Sequence, residues 1–148
     1  MTLNAFFDEI SGGMTREEAF MALLLASVWI DRNEDPREVE EKRALEKRTR
    51  TLSGVPGKQI ADMKDRLRTR LTPERIDHLI EDACDSLTSE KPDVRMSIFG
   101  HCVDVVFADR RFDKLEKKYL TTLIERLKID HQDATAMISV LRDKNNLR

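Results

Sequence analysis

Apolar residues recur along the chain at spacings of three and four, and each such segment is bracketed by helix start and stop signals. Ile76, Leu79, Ile80, Ala83 and Leu87 form the clearest stripe. Thr15 with Glu18 makes a capping box that opens a helix through FMALLLASVWI to about Asp31. Asp35-Pro36 with Glu38 opens a second helix, which runs to the stop at Ser53-Gly54. Pro56 starts a third, reaching about Arg70 with Ile60, Met63 and Leu67 on one side. Thr72-Pro73 starts the fourth, which carries the stripe above, and Pro92 starts a fifth that is apolar almost all round. Asp113 with Glu116 opens a sixth, with Leu120, Leu123, Ile124 and Leu127, and Asp130 caps a seventh holding Ala134, Met137, Ile138 and Leu141. The N-terminal FFDEI is a candidate short helix of its own. VDVVF (103–107) reads as a strand in isolation, but it lies inside a longer helical pattern. The pattern predicts an all-α fold, about seven helices in one compact bundle, with the whole chain (1–148) as a single domain.

Two of these helices have too little polar surface to sit on the outside, so they are expected at the centre, packed against each other. They also head a repeat. Residues 31–38 read DRNEDPRE and residues 109–116 read DRRFDKLE, the second copy starting 78 residues after the first. At that offset Trp29 falls on Phe107, Val28 on Val106, Leu25 on Val103 and Phe20 on Ile98. The repeated unit is an apolar helix, an acidic turn and a charged helix, over approximately 15–53 and 92–128.

Most of the octapeptide is the chemistry of a helix start. Asp35 and Asp113 fit the N-cap, and Glu38 and Glu116 fit the third helical position, where a carboxylate reaches back to the cap's amide. Asp31 and Asp109 are not explained this way. Each ends an apolar helix, where a negative charge opposes the helix dipole by up to ~1 kcal/mol. Folded back over the turn, each would meet the cap carboxylate, and carboxylates brought together need a cation, an arginine or a proton between them. Asp31, Asp35 and Glu38, and likewise Asp109, Asp113 and Glu116, are therefore candidate ligands of a hard divalent cation, Ca²⁺ or Mg²⁺. Arg32 and Arg110 are the alternative internal partners. The spacing is not that of an EF-hand loop, which spreads its ligands over about twelve residues with Gly at the sixth.

Composition narrows the function classes. With 40% apolar and 36% charged residues, the 148-residue chain is that of a globular protein able to bury roughly 70% of its unfolded surface. No apolar run reaches the ~20 residues of a membrane span, and MTLNAFFDEI lacks the positive charge of a secretory leader, so the cytoplasm is expected. Cys84 and Cys102 sit in apolar helical patterns and read as buried, inert thiols; the absence of CxxC or a Cys-His cluster argues against structural zinc. The net charge of −2 hides an asymmetry, because residues 42–75 hold 11 Lys or Arg against 4 Asp or Glu. That basic middle is a candidate surface for nucleic acid or an anionic surface, but all eight aromatics lie outside it, which disfavours nucleic-acid stacking. His101 and Asp104 share a helix side and could be acid–base machinery with the acidic turns and a metal, as in a hydrolase; a satisfied buried hydrogen bond is the simpler reading. His78 and His131 lie in charged segments with no evident partner. No Gly-rich phosphate loop, nucleophile elbow or HExxH occurs, so no enzyme is expected and no catalytic residue is assigned.

The paired segments ALLLASVWIDRNEDPREVE (22–40) and VDVVFADRRFDKLEKKYLTTLIERLKID (103–130) resemble the tellurite-resistance TerB-like family. The likeness is best over 94–141 and weaker over 17–52. The family pattern is Ala-Asp-Gly, two residues, Asp, two residues, Glu, with an apolar residue before the second Asp. Phe112 keeps that apolar position and Glu34 loses it; Arg32 and Arg110 stand where the family often has Gly, and Ile30 replaces Ala. The resemblance implies an all-helical domain with an acidic, divalent-cation-associated surface. It also implies a bacterial stress or metal response carried out through protein partners, often in membrane-linked complexes. The expected function is thus a non-catalytic binding or sensing module, with the second acidic turn the stronger candidate.

Overall fold

The computed structural model describes residues 14–31, 57–108 and 114–146, and over these the chain is helical with no strand. Six helices are described: α1 (Arg16–Asp31), α2 (Gly57–Arg68), α3 (Ile76–Leu87), α4 (Pro92–Phe107), α5 (Lys114–Arg126) and α6 (His131–Asn146). The predicted 35–53 helix and the FFDEI segment lie outside the described residues.

The two apolar helices, α1 and α4, pack against each other, as their lack of a polar face demands. α1 also packs on α3, α5 and α2, and α4 on α5 and α6. Residues 19–26 of α1 are all buried, and so is Phe99-Gly100 together with 102–107 of α4. The amphipathic helices supply the expected stripes: Met63 and Leu67 of α2, Ile76, Leu79, Ile80, Ala83 and Leu87 of α3, and Leu120 and Leu123 of α5 are buried. α4 and α6 approach closest at Gly100, where a Cβ would stand 3.2 Å from Met137 Cε.

The ends of the helices follow local chemistry. The Glu18 amide donates to Thr15 Oγ1 (3.1 Å), and the Met14 amide donates to Ser86 Oγ (3.2 Å), tying the approach to α1 onto α3. Pro92 occupies the first turn of α4, where its missing N–H costs nothing. Asp130 Oδ1 accepts from the amides of Gln132 (3.0 Å) and Asp133 (3.1 Å), capping α6 as predicted. α5 closes in a Schellman turn: the Ile129 amide reaches Ile124 O (3.0 Å), the Lys128 amide reaches Glu125 O (3.3 Å), and Lys128 takes φ 55°. Arg95 of α4 donates to Leu127 O (2.7 Å) at the same end.

One start differs from the sequence expectation. Thr72 does not cap α3, which begins at Ile76. The Thr72 carbonyl instead accepts from the amides of Arg75 (3.1 Å) and Ile76 (2.9 Å), a preliminary turn that spends the capping position before the helix proper.

Candidate functional site

α4 leads into the second acidic turn and α5 leads out of it. Of the six predicted carboxylates, Asp35, Glu38, Asp109 and Asp113 lie outside the described residues, and Asp31 is described only as the last residue of α1. Glu116 is the one whose side chain is placed. It sits in the first turn of α5 and is 1% exposed. Capping alone does not ask for this: Glu17 and Glu18, in the first turn of α1, stay partly exposed. Among the described residues no group of three or more His, Cys, Asp or Glu is placed to hold a metal.

One turn beyond Glu116, Tyr119 staples α5 to α1. Its hydroxyl donates to Leu23 O (2.8 Å) and lies 2.9 Å from Ser27 Oγ, which also donates to Leu23 O (2.8 Å). All of this is buried, with Tyr119 3% exposed and Ser27 fully enclosed. Burial pushes the Tyr119 phenol well above its ordinary value, reinforced by Cys102 and opposed by the Ser27 hydrogen bond.

Cys84 and Cys102 are free and buried, as expected. Burial, then the neighbouring Cys102, pushes the Cys84 thiol up to about 12. Burial pushes Cys102 up to about 11, against the lowering effect of hydrogen bonds from Ser27 and Tyr119. Both are held as thiols, which are poor nucleophiles and poor metal ligands.

His101 and Asp104 both lie on α4, one turn apart. Asp104 is buried, and the partners described for it come from α6: Lys144 Nζ lies 3.2 Å from both carboxylate oxygens, and Asn145 Nδ2 donates to Oδ1 (3.1 Å). Asn145 also donates to Leu141 O (2.7 Å). His101 tilts against Phe20, with ring centroids 5.6 Å apart. Asp104 thus fastens the last helix to the core.

Between α3 and α5 runs an open cleft of about 410 Å³, floored by Tyr119 and ended by Trp29 and Ile30 of α1. Ile76, Ile80 and Leu115 make its walls apolar.

The sequence matches the family model described as "Tellurite resistance protein TerB" over residues 17–138, most of the chain. The chain belongs to the TerB family. No curated protein and no solved structure gives a significant match. Across this TerB domain the match takes in both acidic turns and the intervening α2–α3 segment, which had no specific resemblance of its own. Among the described residues of the TerB chain no helix is long and apolar enough to cross a membrane.

In the described part of the basic middle, Arg70 pairs with Asp82, Arg66 with Glu18 (3.8 Å) and Arg68 with Asp65 (3.9 Å). Arg75 bonds Thr69 O (3.4 Å). Sequence reasoning missed two features. Ser27 was visible as the one polar residue in AFMALLLASVWI, whereas nothing marked Asn145 as the buried partner of Asp104.

Proposed function

We propose that this TerB-family chain is a non-catalytic binding and sensing module of a tellurite-type stress response. In this reading the acidic turns hold a divalent cation, Ca²⁺ or Mg²⁺, and the domain works in the cytoplasm through protein partners, including membrane-associated complexes. Asp109, Asp113 and Glu116 would hold the cation at the second turn, and Asp31, Asp35 and Glu38 at the first.

The observation that carries the reading is the burial of Glu116 at 1% exposure. A carboxylate withdrawn from water keeps its charge only when donors or a cation face it. An all-oxygen carboxylate set suits a hard cation, whose charge offsets the repulsion among the acids and fixes the turn. The non-catalytic half is supported by how the reactive groups are used. Both cysteines are held protonated in the core, Asp104 is engaged by Lys144 and Asn145, and the Tyr119 hydroxyl is spent on α1.

Thermal melting with and without metal tests the cation. Ca²⁺ or Mg²⁺ at ten times its dissociation constant should stabilise the fold by about 1.4 kcal/mol, or ~3–6 °C. Asn caps a helix about as well as Asp, so Asp113→Asn should leave the metal-free melting temperature nearly unchanged while shrinking the metal-induced rise. No shift of the wild type with millimolar Ca²⁺, Mg²⁺, Mn²⁺ or Zn²⁺ would sink the cation reading.

A further inference from the structure

The cleft between α3 and α5 has an uneven distribution of polarity. Its apolar lining comes from Ile76, Ile80, Leu115 and Tyr119. The two hydroxyls of its lining residues are engaged within the protein, Tyr119 with Leu23 O and Ser27, and Thr122 with Lys118 O. All other charge sits at the rim, sorted by wall: Asp77 and Glu81 stand on α3, Lys118 and Arg126 on α5. At one end the walls are joined by an exposed ion pair, Arg126 Nη1 to Glu81 Oε1 at 3.5 Å. At the other end Asp77 and Lys118 are exposed and make no ion pair with each other or with another described side chain. Leu115 stands beside them at 60% exposure, one of only two large apolar side chains so exposed among the described residues.

We propose that this cleft is the docking groove for an amphipathic helix of a partner protein. That helix carries an apolar stripe at i, i+4 and i+7, with Lys or Arg along one edge and Asp or Glu along the other. A small polar ligand would need free polar groups converging inside the pocket to orient it, and the Tyr119 and Thr122 hydroxyls are both already engaged within the protein. A helix laid in a groove needs the reverse, apolar anchors below and charges at the margins. Walls of opposite sign select a helix whose edges are of opposite sign, and they reject one whose edges are alike. About 410 Å³ accommodates the two or three apolar side chains such a stripe inserts. The inference rests on the partner-binding half of the proposed function and not on its cation half.

Trp29 ends the groove and is the chain's only tryptophan, so its emission reports occupancy directly. The probes are three synthetic 18-residue helical peptides sharing one Leu stripe. One has a Lys edge and a Glu edge, one has two Lys edges and one has two Glu edges. They are titrated into the full chain with chelator present, so that a negative metal titration leaves the result intact. The mixed peptide should shift Trp29 emission saturably and bind at least ~10-fold more tightly than either single-sign peptide. Leu115→Glu should weaken it by about tenfold or more. Lys118→Glu, which reverses the unpaired charge of the α5 wall and leaves Arg126 paired with Glu81, should shift the preference toward the doubly basic peptide. Leu115 and Lys118 are both exposed, so these variants keep their helix content, checked by circular dichroism. No saturable response, or equal affinity for all three peptides, overturns the proposal. So does a concentration-dependent dimer abolished by Leu115→Glu, which would make a second copy the occupant. Saturable binding of anilinonaphthalene sulfonate without any peptide binding overturns it too, in favour of a small-ligand site.

Discussion

Tyr119 and Ser27 share one acceptor, Leu23 O, and two hydroxyl protons serve three short contacts. The network is enclosed, so losing either hydroxyl leaves its neighbour partly unsatisfied. Tyr119→Phe and Ser27→Ala should each lower stability by ~1 kcal/mol in urea denaturation. The double variant should lose less than the sum, because the two side chains compete for the same carbonyl. The thiols make a second residue-scale prediction. Below their ordinary value of 9.0 both cysteines are protonated in the folded and unfolded chain alike and add nothing to the pH dependence. Above pH 9 the unfolded chain releases both protons, while the folded one holds them until about 11 at Cys102 and about 12 at Cys84. Their contribution to stability is therefore full below pH 9 and is lost as pH rises through that window. The Cys84→Ala, Cys102→Ala double variant should show a shallower fall in stability between pH 9 and 10.5, measured by denaturation at each pH.

At the scale of elements, the turn joining α5 to α6 holds two opposite local choices in three residues. Lys128 adopts a left-handed conformation that favours glycine, whereas Asp130 is a good cap. Lys128→Gly should raise stability by up to ~1 kcal/mol, Asp130→Ala should lower it by ~1 kcal/mol, and Asp130→Asn should be nearly silent. Thermal melting separates the three. Such local chemistry is why most element starts could be read in advance. Thr15-Glu18, Pro92 and Asp130 each act through residues within a turn of themselves. Thr72 misled for a tertiary reason, since its hydroxyl is buried and a preliminary turn uses its carbonyl instead. The acidic turns were legible as carboxylate spacing. The burial of Glu116 was not, because it depends on what α5 packs against and not on the octapeptide itself.

For the whole molecule, Asp104 and α6 show how a polar tie closes an apolar assembly. Among the described helices α6 packs mainly on α4, and the Asp104 cluster is its polar fastening there. Asp104→Ala should cost ~1–3 kcal/mol, a range discounted from that of a fully buried pair because Lys144 is about half exposed. Lys144→Ala should cost less, since Asn145 still reaches the carboxylate. The central pairing of α1 with α4 was legible because neither helix has a polar face to show to water. The Asp104 contacts were not, because a single aspartate in an apolar helix names no partner from another one. That central pairing also has a kinetic consequence. α1 finds its partners α3 and α4 only across residues 32–75 and 32–91, whereas α4, α5 and α6 meet neighbours close in sequence. Closing such distances adds little to the equilibrium cost but lengthens the search. Among the described contacts, the C-terminal helices close the shorter loops, and the enclosed α1 joins α3 and α4 through the longer ones.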